Sequence, residues 1–318
     1  MALAHLGELA ALTTACCWTV TGLSFEAAGR RVGSLSVNLI RLFLALGFLC
    51  IFGWIARGLP LPTDAPARAW LWLGLSGLIG FSIGDLCLFR AYVLVGSRIS
   101  MLMMALVPPM VALIGLGFLR ESLVARDWLG MAVTVAGVAW VVLEGHPAPR
   151  AVGAQIASSP RQGSKDRDAA VSPHEGRWRG VILALVGAIC QAIGLVFSKR
   201  GMGDYDAFAS TQIRIIAGIA GFAVVFFLTH WWRRAFQALS NRAAMARITL
   251  GAFFGPFLGV SFSLLAVQHT QAGIAATIMA LVPVFIILPS VLIFHERVSA
   301  RAVGGAFLAV AGVALLFL

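Results

Sequence analysis

The sequence predicts an all-α integral membrane protein of ten transmembrane helices, built as two inverted five-helix repeats. Composition is the first reason. Of 318 residues, 60% are hydrophobic and 12% charged, with a mean hydropathy of +0.92, whereas soluble domains are roughly half apolar and a quarter charged. The second reason is that the chain writes one segment twice, as Met104-Ala-Leu-Val-Pro108 and again as Met279-Ala-Leu-Val-Pro283.

Apolar runs of about 20 residues cross a hydrocarbon core of roughly 30 Å at 1.5 Å per residue. Such runs centre near residues 17, 46, 80, 108 and 136, then near 189, 218, 256, 283 and 310. The first lacks the basic leader and small-residue cleavage site of a signal peptide, so it is expected to remain as the first helix. Between the two sets lies a stretch rich in Pro, Ser, Gly, Ala and mixed charge, which has no apolar surface to bury and reads as a mobile linker. The expected organisation is a first repeat over 1–143, a linker over 144–179 and a second repeat over 180–318.

The net charge of +11 would suggest nucleic acid in a soluble protein. Here the basic residues fall mainly in loops between spans, where they set orientation, and no nucleic-acid partner is expected. Cys16, Cys17, Cys50, Cys87 and Cys190 all lie inside spans without metal-ligand spacing. No cofactor is implied.

An offset of 173 residues places Gln191 on Trp18 and Arg214 on Arg41; an offset of 175 places Glu296 on Glu121, Gly305 on Gly130 and Gly312 on Gly137. Five spans is an odd number, so the second copy enters from the opposite side and the repeat is inverted. Composition alone would not match charges and prolines, which are costly at membrane depth.

The segments from Ile83 to Val138 and from Ala272 to Leu315 resemble the EamA-type family of the drug/metabolite transporter superfamily. Both have its Pro-containing fourth and ninth helices, its Glu at their ends, and its Gly-spaced fifth and tenth helices. The resemblance implies a ten-helix secondary transporter that moves a small metabolite through a central cavity lined by helices 1–4 and 6–9. The long linker departs from that family's usual junction.

Several residues stand out as candidate site residues. Arg41, Asp85 and Arg214 are the sharpest, since insertion scales place about 2.5 to 3.5 kcal/mol on such a side chain at a helix centre. Arg41 and Arg214 lie near span starts, where snorkelling to headgroups is the competing account. Asp85 is too short to snorkel, and its repeat counterpart reads as Phe262. Asp85 and Arg41 should lie roughly 8 Å below the same face and can pair; Arg214 would have to reach toward Glu121. In that reading Asp85 is a switchable charge, paired with Arg41 in one state and protonated or facing a cationic substrate group in another.

Trp18 and Gln191 fall mid-span as candidate cavity residues, and a carboxamide in hydrocarbon needs a partner. Pro108, Pro109, Pro283 and Pro289 break helices at membrane depth, which is tolerated where the break lines a cavity or is buried in protein. Glu121 and Glu296 sit at helix ends where the macrodipole disfavours an anion, so Arg126, Arg301 or the next helix's free N–H groups should hold them in a structural or gating role. Gly251, Gly255 and Gly259, with Gly80 and Gly84, offer flat packing faces. His295-Glu296 lacks the second histidine of a zinc site, position 299 being Ser, so no metal is expected.

Functionally, the sequence points to a secondary transporter exporting amino acids or related small metabolites, driven by a proton or by an exchanged solute; no phosphate-binding loop is present. The alternative is an intramembrane or lipid-handling enzyme, against which stand the missing G-x-S-x-G, the missing H-E-x-x-H and the lack of paired intramembrane carboxylates. The expected setting is a bacterial inner membrane. With the N-terminal face called A and the opposite face B, face B carries most loop arginines, which would place B in the cytoplasm. The family resemblance implies cytoplasmic termini instead, and that orientation is the one expected.

Overall fold

The computed structural model describes residues 5–144, 173–285, 287 and 299–317. Glu296, Pro289 and most of the linker lie outside these. The described residues contain helices and no strand. In the first half they are α1 (Leu6–Val32), α2 (Ser34–Arg57), α3 (Ala67–Gly77), a π-helical stretch at Leu78–Gly84, α4 (Asp85–Met104), α5 (Val107–Ile114), a second π stretch at Gly115–Leu119, and α6 (Ala125–Glu144). The second half has α7 (Pro173–Met202), α8 (Ala207–Thr229), α9 (Trp232–Leu239), α10 (Arg242–Ala252), a π stretch at Phe253–Gly259, α11 (Val260–His269), α12 (Ala272–Met279) and α13 (Ala300–Phe317).

Eight of these stretches are long and apolar enough to cross a membrane, and Val107–Leu119 and Ala272–Phe285 are shorter apolar helices. The turns follow local chemistry. Gly33 and Gly58 close α1 and α2 with φ of +81° and +71°, values that glycine adopts without steric cost. Asp206 and Asn241 cap α8 and α10 by accepting from the N–H of Ala209 at 2.8 Å and Ala244 at 3.0 Å.

The halves interleave rather than sit side by side, and small residues make this possible. Along α7, Gly180, Gly187, Gly194 and Gly201 recur every seventh position; they meet Leu94–Val95, Gly84–Leu88, Ser76–Gly80 and Trp72–Leu73 in turn. That order shows α7 running antiparallel to α3 and α4. In the same way Gly251, Gly255 and Gly259 receive Phe25, Thr21 and Trp18 of α1, and α6 closes on α13 through Gly130, Gly137, Gly305 and Gly312. Each pair joins one half to the other, so backbone approach across the duplication holds the bundle together.

One expectation is corrected. Residues 85–104 run as a single helix, with no break between the third and fourth apolar runs. At the repeat-related site in the second half the chain does break, at Thr270–Gln271. There the Thr270 carbonyl accepts from Lys199 Nζ (2.6 Å), its hydroxyl donates to Glu8 Oε1 (3.0 Å), and Gln271 Nε2 donates to the Ser122 carbonyl (2.8 Å). Val95 and Gly96, their counterparts at the 175-residue offset, have no side chains that could do this. Beyond, both halves turn at the same place: Ala105–Leu106 and Ala280–Leu281 interrupt the helix just before Val107-Pro108 and Val282-Pro283. A proline without an N–H is accommodated in the first turn of the helix that follows.

Candidate functional site

The π stretches at Leu78–Gly84 and Phe253–Gly259 lie 175 residues apart at both ends. This fixes the register of the repeat in the third and eighth spans. The counterpart of Asp85 is therefore Val260, not Phe262; both residues directly follow a π turn, whereas matching on apolar character alone slipped by two positions. The asymmetry stands, with an acid in one half and an aliphatic side chain in the other. Asp85 follows the π stretch within a helix that runs on from Ala67 to Met104.

Around Asp85 the structure gathers Arg41, Gln191 and Arg214, and leaves the other predicted site residues apart. The carboxylate forms an ion pair with Arg41 Nη2, both side chains being largely buried. Its other oxygen accepts from Gln191 Nε2 at 3.2 Å, and the same nitrogen donates to the Gly80 carbonyl at 3.3 Å. Gln191 thus finds the partners a carboxamide in hydrocarbon requires. The Arg41 guanidinium lies over the Phe25 ring, 5.3 Å from its centroid. These contacts bring α1, α2, α4 and α7 to one point.

Arg214 arrives from α8. Its backbone lies directly against Gly77, where an added Cβ would stand 2.2 Å from the Arg214 carbonyl oxygen. Only a glycine admits α8 this close. From there the side chain places its guanidinium over Phe81, 5.0 Å from the ring centroid, with Nη2 beside Gly80. The residue is 5% exposed, its Nε has no hydrogen-bond partner, and it does not reach ion-pair distance of any described carboxylate. Gln191 links it to Asp85, since Gln191 Nε2 donates both to Asp85 and to the carbonyl of Gly80, beside which Arg214 Nη2 stands. The expected reach toward Glu121 does not occur.

Glu121 is held elsewhere, on face A. It pairs with Lys199 Nζ at 2.6 Å and accepts the Ala272 N–H with both oxygens, at 3.2 and 3.0 Å. Contrary to expectation, the N–H that holds it comes not from the following helix but from Ala272 at the start of α12; among the described residues no contact with Arg126 is seen. The anion meets the positive end of that helix dipole. Trp18 lies apart from the charged cluster. It packs on Gly259, whose added Cβ would be 2.7 Å from the indole Nε1, just as Gln191 packs on the repeat-related Gly84. Pro108 is buried and Pro283 partly so; each marks a helix restart and neither touches the cluster.

Sequence reasoning missed Phe25 and Phe81, whose rings carry the two guanidinium groups, and Lys199. It also missed Asn38, which is 1% exposed with neither end of its carboxamide bonded. The signal for Asn38 was available: a carboxamide inside an apolar span, one turn before Arg41, needs a partner as Gln191 does. Nothing in the sequence marks the phenylalanines among 21 of their kind.

A solved structure described as "Crystal structure of protein" matches with a TM-score of 0.72 at 18% identity, over 98% of this chain and 96% of that one. At that identity it shows the shared fold. Among curated proteins none matches. The model of the EamA-like transporter family matches twice, over residues 5–143 and 178–318, one match per repeat. On that doubled match, which spans nearly all of the sequence, the chain belongs to the EamA-like transporter family within the drug/metabolite transporter superfamily.

Proposed function

We propose that the protein is a secondary active transporter that exports amino acids or related small metabolites by alternating access, coupled to protons or to an exchanged solute. It crosses a bacterial inner membrane ten times, with both termini in the cytoplasm. The observation that supports this best is the buried cluster of Arg41, Asp85, Gln191 and Arg214. Charged groups at such depth are costly, and they recur where a solute or ion must be met inside the bilayer. This cluster also joins elements of both halves, the place where an inverted-repeat carrier holds its substrate.

In this mechanism Asp85 is the switchable charge. It pairs with Arg41 in one state, and in the other is protonated or faces a cationic group of the solute. Glu121 clasps the ends of α7 and α12 on face A, and its release accompanies opening there. Trp18, Pro108 and Pro283 line the path, and Glu296 is assigned the gating role of Glu121 by the repeat. The test is counterflow of radiolabelled amino acids into proteoliposomes. Saturable uptake accelerated by internal solute supports the carrier; lipid turnover without flux refutes it.

A further inference from the structure

We infer that Arg214 is the receptor for a carboxylate on the transported solute; this rests on the transport reading above and narrows it to solutes carrying one such group. The argument begins with charge balance. Among the described side chains, two guanidinium groups, Arg41 and Arg214, share one carboxylate, Asp85. Arginine does not lose its proton in proteins. The carboxylate is committed, since it forms an ion pair with Arg41 and accepts from Gln191 at 3.2 Å. Among the described side chains one positive charge is left over, in a place that is 5% exposed.

A buried cation without an anion is destabilised, and in native proteins it is paired or given one by a ligand. The aromatic face of Phe81 offsets only part of that, roughly 0.5 to 2 kcal/mol. The repeat shows why Arg214 lacks a partner of its own: where Arg41 meets Asp85, the equivalent position for Arg214 holds Val260. One half has both the arginine and the acid, and the other has the arginine with an aliphatic residue opposite.

The surroundings suit a carboxylate. Arg214 Nη2 and Gln191 Oε1 both flank Gly80, 3.6 and 4.0 Å from where a Cβ would stand. Arg214 Nε, unpartnered, and the guanidinium Nη groups form a planar fork matched to two carboxylate oxygens. A monoanionic group balances the site, whereas a phosphate monoester would overshoot it. For an amino acid the ammonium is then left to Gln191 Oε1, or to Asp85 once Arg41 lets go.

The experiment uses the full chain in liposomes loaded with an equimolar mixture: amino acids, their amides, the decarboxylated amines, the deaminated monocarboxylates, and phosphate monoesters. Efflux is read by mass spectrometry. The expected result is that every solute leaving the vesicles carries a carboxylate. Arg214→Gln should lower that efflux by about tenfold or more, the loss of a charged hydrogen-bonded contact, and Arg214→Lys should retain part of it. Gly80→Ala serves as a second variant. Its methyl meets only ordinary contacts, so the protein folds, and it should raise KM for the carboxylates by obstructing the receptor. Efflux of amides or amines that Arg214→Gln leaves unchanged would overturn the inference with transport intact. Preference for phosphate monoesters would also overturn it. No efflux of any solute from the wild type would overturn transport itself, and the inference with it.

Discussion

Asp85→Asn and Arg214→Gln each remove one charge from the same buried cluster, yet they should differ sharply in what they cost in stability. Asp85→Asn deletes the anion and leaves Arg41 without its ion-pair partner. Two unit charges at about 4 Å and an effective dielectric constant of about 20 interact by about 4 kcal/mol, and breaking a buried pair from one side costs about 3–5 kcal/mol. Arg214→Gln removes the surplus cation. It forfeits the contact with Phe81 and a weaker attraction to Asp85, which lies beyond ion-pair distance, but relieves repulsion with Arg41 and the burial of a charge. The net change should stay within about 1 kcal/mol or be stabilising, as when function is bought with stability at a binding site. SDS titration of the protein in maltoside micelles measures both. The double variant Arg41→Gln/Asp85→Asn should recover most of the loss from Asp85→Asn. If Arg214→Gln costs as much as Asp85→Asn, the three residues form one closed network and the charge-balance argument fails.

Gly137→Ala should destabilise by about 1–3 kcal/mol through overpacking, because its Cβ would stand 2.4 Å from the Ala309 nitrogen. Gly304→Ala, on the same pair of helices with nothing within 4 Å, should stabilise by up to about 1 kcal/mol through helix propensity; thermal unfolding of the two variants side by side decides. On face A, the Tyr205 hydroxyl donating to Asp64 at 2.8 Å holds that carboxyl below its ordinary value, with Arg57 adding to the effect. A depressed folded pKa contributes stability above the unfolded value of about 3.9 and loses it as pH falls through the folded value. Tyr205→Phe should therefore flatten acid sensitivity below about pH 4, followed by tryptophan fluorescence. Deleting residues 150–172 of the linker should leave membrane expression and flux unchanged, since its composition offers nothing to bury.

The duplication, the α-helical class and the Arg41–Asp85 pair were legible because they follow from spacing and from the cost of charge in hydrocarbon. So was the need of Gln191 for a partner. Arg214 was misread because depth was counted from the ends of apolar runs. That count cannot see Gly77 admitting the backbone of α8 and turning the side chain up to Phe81. The Glu121 clasp depends on the N–H of Ala272, 151 residues along the chain, a contact made by tertiary packing alone. The continuous helix over 85–104 was missed because the break at Thr270–Gln271 depends on contacts with three other segments. Its counterpart has no such help, and apolar pattern is silent about either.

The two π turns keep step although the segments they enclose share little beyond paired glycines, Gly80 with Gly255 and Gly84 with Gly259, and the second contains Pro256. A π turn amounts to extra backbone inserted into an α-helix. Both halves widen at the same place relative to the residue that follows, Asp85 in one and Val260 in the other. Two identical units assembled head to tail would have the acid present twice or absent twice. Fusion into one chain freed the copies to differ, and Asp85 opposite Val260 is a difference in charge that only a fused pair can hold.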